Sequence, residues 1–343
     1  MVDITIRGAG IFGLSIAWTC ARRGAAVRVV DPQGPMTGAS GGLVGALAPH
    51  VPENWNPKKA FQLDSLLAAE RFWSDVADAS GHNPGYVRSG RLQPIADAAA
   101  LELARAREDT AKELWQDHAR WTVTDTPASK FLPLSPTGYW IHDTLSALIH
   151  PRQGCRALVE ALVGKGVTIE TEAPDSGPTL WATGAAGLAA LGEGCQRMVG
   201  TGIKGQAALL AYDARNAPQI FAGGLHVIPH GDGTVAVGST TERTYDGPDT
   251  TDTALDQIID TARTLVPTLR QAPVIERWAG LRPRARSRAP VLGHWPGRPG
   301  HYIANGGFKI GFGMAPLIAE VMADLLLEGH DRIPAGFRVE DSL

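Results

Sequence analysis

Two cations in the C-terminal third of the chain have the residue types and surroundings needed to hold a small carboxylate. Arg282 lies in the segment WAGLRP at 278–283, and Lys309 follows two glycines in NGGFKIG at 305–311. A guanidinium grips a carboxylate through two parallel hydrogen bonds, whereas an ammonium acts as a point charge. The spacing predicts an anion-binding site beside a glycine-rich turn. From the residues alone, a structural ion pair for Arg282 and a solvated position for Lys309 remain open.

A glycine-rich turn near the N-terminus predicts a dinucleotide site. A short alternating segment precedes Gly8, Gly10 and Gly13, and residues 14–23 have helical spacing. Glycines in this pattern permit a tight turn, let the backbone approach a pyrophosphate and let helix and strand pack closely, with the phosphate at the helix N-terminus. Asp31 ends the next predicted strand, where a ribose hydroxyl needs an acceptor. The alternative is a glycine-rich turn without a ligand.

A second run of small residues, 38–49, would let the backbone approach a flat ring. With this second segment, the chain resembles the D-amino-acid oxidase superfamily of FAD-dependent oxidoreductases, and most closely its glycine oxidase and sarcosine oxidase branch. The resemblance covers nearly the whole chain and implies FAD, a choice that the glycine motif alone does not make. The other matching segments are 180–184, 204–206, 227–233, 237–240, 278–283 and 336–338.

The resemblance also implies which residues act. Arg282 would bind the substrate carboxylate, Lys309 would contact it, and His226 stands where glycine oxidases carry a tyrosine that helps to bind substrate. No cysteine follows Cys195, so FAD is expected to be non-covalent, because relatives with covalent flavin use a cysteine near Gly280. No metal site is expected. The expected cofactor-binding residues are Gly8, Gly10, Ile11, Phe12, Gly13, Asp31, Ser40, Gly41, Gly42, Leu43, Ala182, Thr183, Gly184, Gly306, Gly307, Phe308, Lys309, Ile310 and Gly311.

The implied reaction is oxidation of the C–N bond of a small amino acid or N-substituted amino acid. Hydride would pass to flavin N5, the resulting imine would hydrolyse, and dioxygen or another acceptor would take the electrons. His226 and His230 both depart from the glycine oxidase pattern, which puts glycine itself in doubt. Two alternatives are a tRNA-modification oxidase of the same superfamily, acting on an aminomethyl-uridine side chain, and a non-catalytic flavin-binding module.

Arginine recurs at every second position from Arg282 to Arg288. In an extended segment, all four guanidiniums would share one cationic edge. That edge would suit an anionic substrate or a phosphate backbone. A solvated loop paired with nearby acids is the alternative reading.

These residues require an α/β fold (α+β overall): a Rossmann-like FAD-binding lobe with an inserted antiparallel-sheet substrate lobe. We expect the FAD-binding domain to comprise 1–80, 145–203 and 285–343, and the substrate domain 81–144 and 204–284. Helices are predicted over 61–79, 96–118, 151–162 and 252–265, with another running to residue 327. A hairpin is predicted at Gly231-Asp-Gly233.

Composition excludes several classes of protein. The chain has 343 residues, of which 44% are hydrophobic and 20% are charged, and its net charge is −3. This balance offers no general attraction to nucleic acid or to an anionic membrane. The three cysteines are odd in number and far apart, which indicates reduced thiols. A cytoplasmic enzyme without a membrane span is the expectation, and the pattern predicts no oligomeric state.

Overall fold

A computed structural model describes residues 3–343, in which the chain forms sixteen strands and seven α-helices. The strands are β1 Ile4–Arg7, β2 Val27–Val30, β3 Ala46–Leu47, β4 Arg91–Pro94, β5 Trp121–Thr124, β6 Trp140–Asp143, β7 Ala147–Leu148, β8 Thr168–Glu170, β9 Thr179–Trp181, β10 Gly200–Ala211, β11 Gln219–Ala222, β12 Leu225–Pro229, β13 Thr234–Gly238, β14 Val274–Ala285, β15 Val291–His294 and β16 His301–Asn305. The helices are α1 Ile11–Arg22, α2 Pro57–Ser80, α3 Ala98–Trp115, α4 Pro151–Gly164, α5 Gly184–Leu191, α6 Thr253–Leu265 and α7 Gly311–Glu328.

The first lobe is built on a six-stranded sheet with the order β15-β16-β9-β1-β2-β8. All neighbours pair in parallel except β15 and β16, which are antiparallel. Helices α1, α4 and α7 contribute buried residues to the core that covers this sheet. Because parallel strands end at one edge, the turns after β1, β2, β9 and β16 come together there. The predicted Rossmann-like lobe is confirmed.

The second lobe is built on an eight-stranded sheet with the order β14-β10-β13-β12-β11-β4-β6-β5. It is antiparallel apart from the pair β11 and β4. One face packs on α6 through a hydrophobic core. The opposite face packs on residues 43–46, and Ala207, Leu209 and Trp278 belong to one hydrophobic cluster with Leu43 and Val44. The segment of small residues at 38–49 therefore lies between the two lobes.

Helix ends follow capping residues that periodicity does not reveal. Helix α2 begins earlier than predicted because the Asn56 side chain accepts from the N–H groups of Lys58 and Lys59, with Pro57 at the first helical position. The predicted hairpin at 231–233 is confirmed as the turn between β12 and β13. Helix α5 was not predicted, because its sequence GAAGLAAL has no polar face.

Chain order interleaves the strands of the two sheets, with β4 to β6 and β10 to β14 in the second. The domain boundaries given above remain a prediction. Within residues 3–343, no helix combines the length and apolar character that a membrane crossing requires.

Candidate functional site

The turn between β1 and α1 is packed backbone against backbone. Gly8 has φ +104°, and a Cβ there would overlap the carbonyl oxygen of Ala182. A Cβ on Gly13 would overlap the carbonyl oxygen of Gly8. Both positions therefore require glycine, and both bring the start of α1 against the ends of β1 and β9.

Asp31 and Ser40 lie beside this turn, as expected. The Asp31 carboxylate accepts from the Ala9 N–H at 2.8 Å and from the Gln33 N–H at 3.1 Å. The Ser40 hydroxyl accepts from the Ile11 N–H at 2.9 Å, in the first turn of α1. These side chains fix the glycine-rich turn, and their contacts with a ribose or a phosphate remain predictions.

The loop after β16 packs on the other side of this turn. Together, residues 8–13, 182–184 and 306–311 form what we call the nucleotide cradle. A Cβ on Gly307 would lie 2.9 Å from the ring of Phe12, so this loop sits directly on the start of α1. The Asn305 amide donates to the Gly184 carbonyl at 2.8 Å, and its oxygen accepts from the Gly306 N–H at 2.7 Å. The structure thus brings together the expected cofactor-binding segments 8–13, 182–184 and 306–311.

Residues 41–43 contact both lobes. Arg152 of helix α4, in the first lobe, donates from Nε to the Gly41 carbonyl at 2.7 Å, and the ring of Trp278, in the second lobe, lies against Gly42. The Leu43 carbonyl lies 3.0 Å from Nε2 of His230, which therefore carries the proton. Burial, followed by the neighbouring His150, lowers the pKa of His230 to about 4, so this ring is neutral and structural.

Arg282 lies flat on the second sheet. Only 8% of it is exposed, and a Cβ on Gly205 would overlap its guanidinium. One terminal nitrogen donates to the Ser239 hydroxyl at 2.6 Å and the other to the Thr240 carbonyl at 2.5 Å, while Nε is buried without a hydrogen-bond partner among residues 3–343. Burial lowers its pKa to about 10, which leaves the guanidinium charged at neutral pH. Ser239, Thr240 and Gly205 were not identified from the sequence.

Arg284 and Lys309 join Arg282 around the ring of Phe308. The two guanidinium carbons each lie 5.4 Å from the ring centroid, and the ammonium nitrogen of Lys309 lies 5.8 Å from it. Burial, followed by Arg282 and Arg284, lowers the pKa of Lys309. Across residues 3–343, no acidic side chain forms an ion pair with any of these three cations. The cluster therefore carries uncompensated positive charge.

His226 lies on the same face of the sheet as Arg282, opposite Gly238 in β13. Its ring packs against Phe221, with centroids 4.7 Å apart, and Nδ1 is buried with no hydrogen-bond partner in the described part of the chain. Burial, followed by the charges of Arg91 and Lys309, lowers its pKa to about 3. The imidazole is neutral and can accept a hydrogen bond.

A polar network lies behind Arg282. Lys204 is 1% exposed, and its ammonium lies 3.2 Å from Asp252 and 3.6 Å from Glu242. The Gln206 amide donates to the same two carboxylates, at 2.8 and 3.0 Å. Glu242 also accepts from the hydroxyl of Thr240, the residue whose carbonyl holds Arg282. The sequence analysis uses residues 204–206 only as a segment that matches the family, although two polar residues at alternate positions of an apolar strand indicate buried partners.

Comparison with known proteins identifies this arrangement. The family model described as FAD dependent oxidoreductase (DAO) matches residues 3–325. The chain belongs to this family. Its cofactor is FAD, as expected, and its resemblance to the D-amino-acid oxidase superfamily is confirmed.

Individual relatives in the family are distant. A glycine oxidase of Pseudomonas putida is 35% identical over 144 residues, covering 41% of this chain and 39% of the relative. The tRNA 5-methylaminomethyl-2-thiouridine biosynthesis bifunctional protein MnmC of Marinobacter nauticus is 27% identical, covering 95% of this chain and 55% of its own length. This chain spans about half the length of the curated relatives that it matches. A glycine oxidase structure from Geobacillus kaustophilus shares the fold, with TM-score 0.84, 20% identity and 98% coverage of both chains.

The residues of this chain fit FAD. The segments 8–13, 182–184 and 306–311 meet at the carboxyl edge of the first sheet beside the start of α1, where a dinucleotide phosphate binds in this kind of fold. A Cβ on Gly184 would meet nothing within 4 Å, so the backbone is open at that position. Helix α7 begins at Gly311, and no side chain caps its N-terminus, so its free N–H groups are available to an electronegative ring edge. Among residues 3–343, no group of three or more His, Cys, Asp or Glu side chains is arranged to hold a metal.

Of the two interpretations of the arginine run, the shared cationic edge holds only for Arg282 and Arg284. Strand β14 ends at Ala285, and Arg288 has φ +58°, so the segment turns away from the sheet. Arg286 donates to the backbone carbonyls of Ser342 and Leu343 and not to acidic side chains. Only Arg282 and Arg284 remain on the face that meets Phe308.

Proposed function

We propose that this FAD-dependent oxidoreductase oxidises the C–N bond of a small amino acid or N-substituted amino acid to an imine, which then hydrolyses. The observation that carries the proposal is Arg282, a buried and oriented guanidinium without an acidic partner, on the sheet face that meets the FAD-binding lobe. FAD, when bound, supplies the two-electron acceptor for hydride.

Arg282 orients the substrate. Ser239 and Thr240 each hold one terminal nitrogen and so fix the plane of the fork, while Nε is unpartnered. A substrate carboxylate held by this fork would have its α-carbon fixed in position, and fixing the geometry of reacting groups supplies a large part of catalysis.

The remaining residues favour the reactive form of the amine. Hydride leaves the α-carbon most readily when the substrate nitrogen is unprotonated. The positive charges of Arg282, Arg284 and Lys309 disfavour a substrate ammonium, and the neutral His226 can accept a hydrogen bond from the amine. No dedicated catalytic base is then required. Under this proposal, the eight-stranded sheet is the substrate lobe, with the boundaries predicted from the sequence.

Anaerobic titration tests the proposal. The holoenzyme would be mixed with glycine, sarcosine and the two alanine enantiomers while the visible absorbance of the flavin is followed. We expect at least one of these amines, or a relative bearing a carboxylate, to bleach the flavin, and admission of dioxygen would show whether oxygen is the acceptor. A flavin that no amino acid or amine reduces would contradict the proposal and favour a non-catalytic flavin-binding module.

Similarity to MnmC over 95% of this chain favours a second candidate, oxidation of an aminomethyl-uridine side chain of tRNA. The net charge of −3 provides no general attraction for a polyanion. Salt-sensitive retention of tRNA, together with bleaching by modified tRNA and not by free amino acids, would establish this candidate instead.

A further inference from the structure

We infer that the substrate carries two carboxylates, one bound by Arg282 and the other by Arg284 and Lys309. This inference rests on the proposed oxidation of an amino acid or amine and narrows its substrate class to dicarboxylates. The observations behind it are the charge surplus of the site and the different ways in which its cations are held.

The charge surplus is specific to this cluster. Arg91, also near His226, is neutralised by Asp143 at 2.9 Å, and both residues of that pair are buried. Lys204 lies between Asp252 and Glu242, so this set carries one net negative charge, and the charge of Glu242 acts on Arg282. Against the three cations of the cluster it leaves two positive charges, and an amino acid with a neutral amine and one carboxylate would balance only one of them. A second carboxylate would balance the other.

The cations are placed for two separate carboxylates. Arg282 and Arg284 are alternate residues of β14, so both lie on the face of the sheet that meets Phe308. Arg282 is fixed by Ser239 and Thr240, whereas the side chain of Arg284 makes no hydrogen bond to any residue in 3–343. A fixed fork suits the carboxylate next to the reacting carbon. A free guanidinium beside the Lys309 ammonium suits a charge at the far end of the substrate.

Two pairs of compounds measure the effect of the second carboxylate on the rate of oxidation. Iminodiacetate and sarcosine are both N-substituted glycines, and they differ in the carboxylate on the substituent. Aspartate and alanine, each as two enantiomers, make the same comparison on the side chain and show where the second charge lies. We expect kcat/KM for the preferred dicarboxylate to exceed that of its partner by about tenfold or more, as for one additional ion pair in a partly desolvated site.

A binding measurement tests the inference without requiring the enzyme to react. Diglycolate and methoxyacetate replace the amine of iminodiacetate and sarcosine by an ether oxygen, so neither can react by amine oxidation. Calorimetric titration of the holoenzyme should show diglycolate binding about tenfold or more tightly than methoxyacetate. Arg284→Gln should remove most of this difference while changing methoxyacetate binding by less than about twofold.

Arg286→Gln is the matched control, because Arg286 belongs to the same run but contacts only the C-terminal backbone. The Arg286→Gln variant should still bind diglycolate more tightly than methoxyacetate. Equal binding of the two ethers by the wild-type holoenzyme, or equal loss for both in Arg284→Gln, would overturn the inference. An enzyme that oxidises sarcosine or alanine as well as their dicarboxylate partners would overturn it while leaving amine oxidation intact. If diglycolate binds selectively but no amine is oxidised, the proposed reaction fails and the two-carboxylate site stands.

Discussion

The nucleotide cradle and the cationic cluster are built on opposite principles. The cradle at 8–13, 182–184 and 306–311 is held by backbone atoms in contact, so its key residues are those without a side chain. The cluster depends on long side chains whose positions are set from distant parts of the chain, as Arg282 is set by Ser239 and Thr240. A substitution in the cradle should therefore act by overlap, whereas one in the cluster should act by charge and orientation.

The largest effect should come from breaking the cradle alone. In Gly13→Ala the added Cβ would overlap the Gly8 carbonyl oxygen, so α1 cannot approach β1. We expect FAD content to fall by about tenfold or more, because the pyrophosphate depends on this approach. The ratio of flavin to protein absorbance after purification measures this. Gly231→Ala, in the turn between β12 and β13, is the control, since a Cβ there meets nothing within 4 Å. Full FAD content in Gly13→Ala would refute backbone packing as the basis of the cradle.

Breaking the cluster alone should leave the cradle intact. Arg282→Ala removes the fixed fork, and truncating one partner of a buried charge pair costs on the order of 3 kcal/mol, or about a hundredfold in kcat/KM. The loss should appear mainly in KM, with FAD content unchanged. Arg282→Lys keeps the charge but not the fork, so its kcat/KM should lie between those of the wild type and Arg282→Ala. Unchanged steady-state kinetics in Arg282→Ala would remove the carboxylate assignment.

The network behind the cluster should matter less. In Lys204→Met, Glu242 loses its cation and becomes free to neutralise Arg282, so KM should rise by about tenfold while kcat changes less. The double variant Lys204→Met/Glu242→Gln should recover most of that loss, because the competing carboxylate is gone. FAD content and thermal unfolding would be measured on both. A double variant no better than the single one would mean that Lys204 acts only through stability.

The smallest effect concerns pH. The pKa of His226 is held at about 3 and that of His230 at about 4, against 6.5 for an ordinary histidine. Below pH 6.5 the histidines of the unfolded chain bind protons that the folded protein does not bind. The free energy of unfolding therefore decreases as the pH is lowered from 6.5 towards the folded-state pKa values. Each ring should reduce the free energy of unfolding by on the order of 1 kcal/mol between pH 7.5 and 5.5. Guanidinium unfolding at both values measures this, and His226→Phe should make the dependence shallower. An unchanged slope would mean that His226 is not buried in its neutral form.

The difference between the cradle and the cluster explains which residues could be predicted from the sequence. Gly8, Gly13 and Asp31 are close in the chain and obey a spacing rule, so their neighbourhood was predicted together with the lobe that contains it. Arg282 and Lys309 were indicated by residue type and surroundings, and their roles, with that of His226, came from a family resemblance. The structure places Arg282 and His226 on one face of the second sheet, with Lys309 near them on the loop after β16. The partners of Arg282 were missed, because Gly205, Ser239 and Thr240 are distant in sequence and ordinary in type. Neither interpretation of the arginine run holds along its whole length, because β14 ends at Ala285 and strand periodicity stops after Arg284.

The contacts of residues 41–43 have a consequence for how molecules enter and leave. Arg152 binds the Gly41 carbonyl and also pairs with Glu276 of β14 at 2.6 Å, while His230 holds the Leu43 carbonyl. The Arg152–Glu276 pair and the His230–Leu43 bond each join the first lobe to the second, so a hinged separation of the lobes would break both. Under the proposed function, substrate and product would then exchange without such a separation.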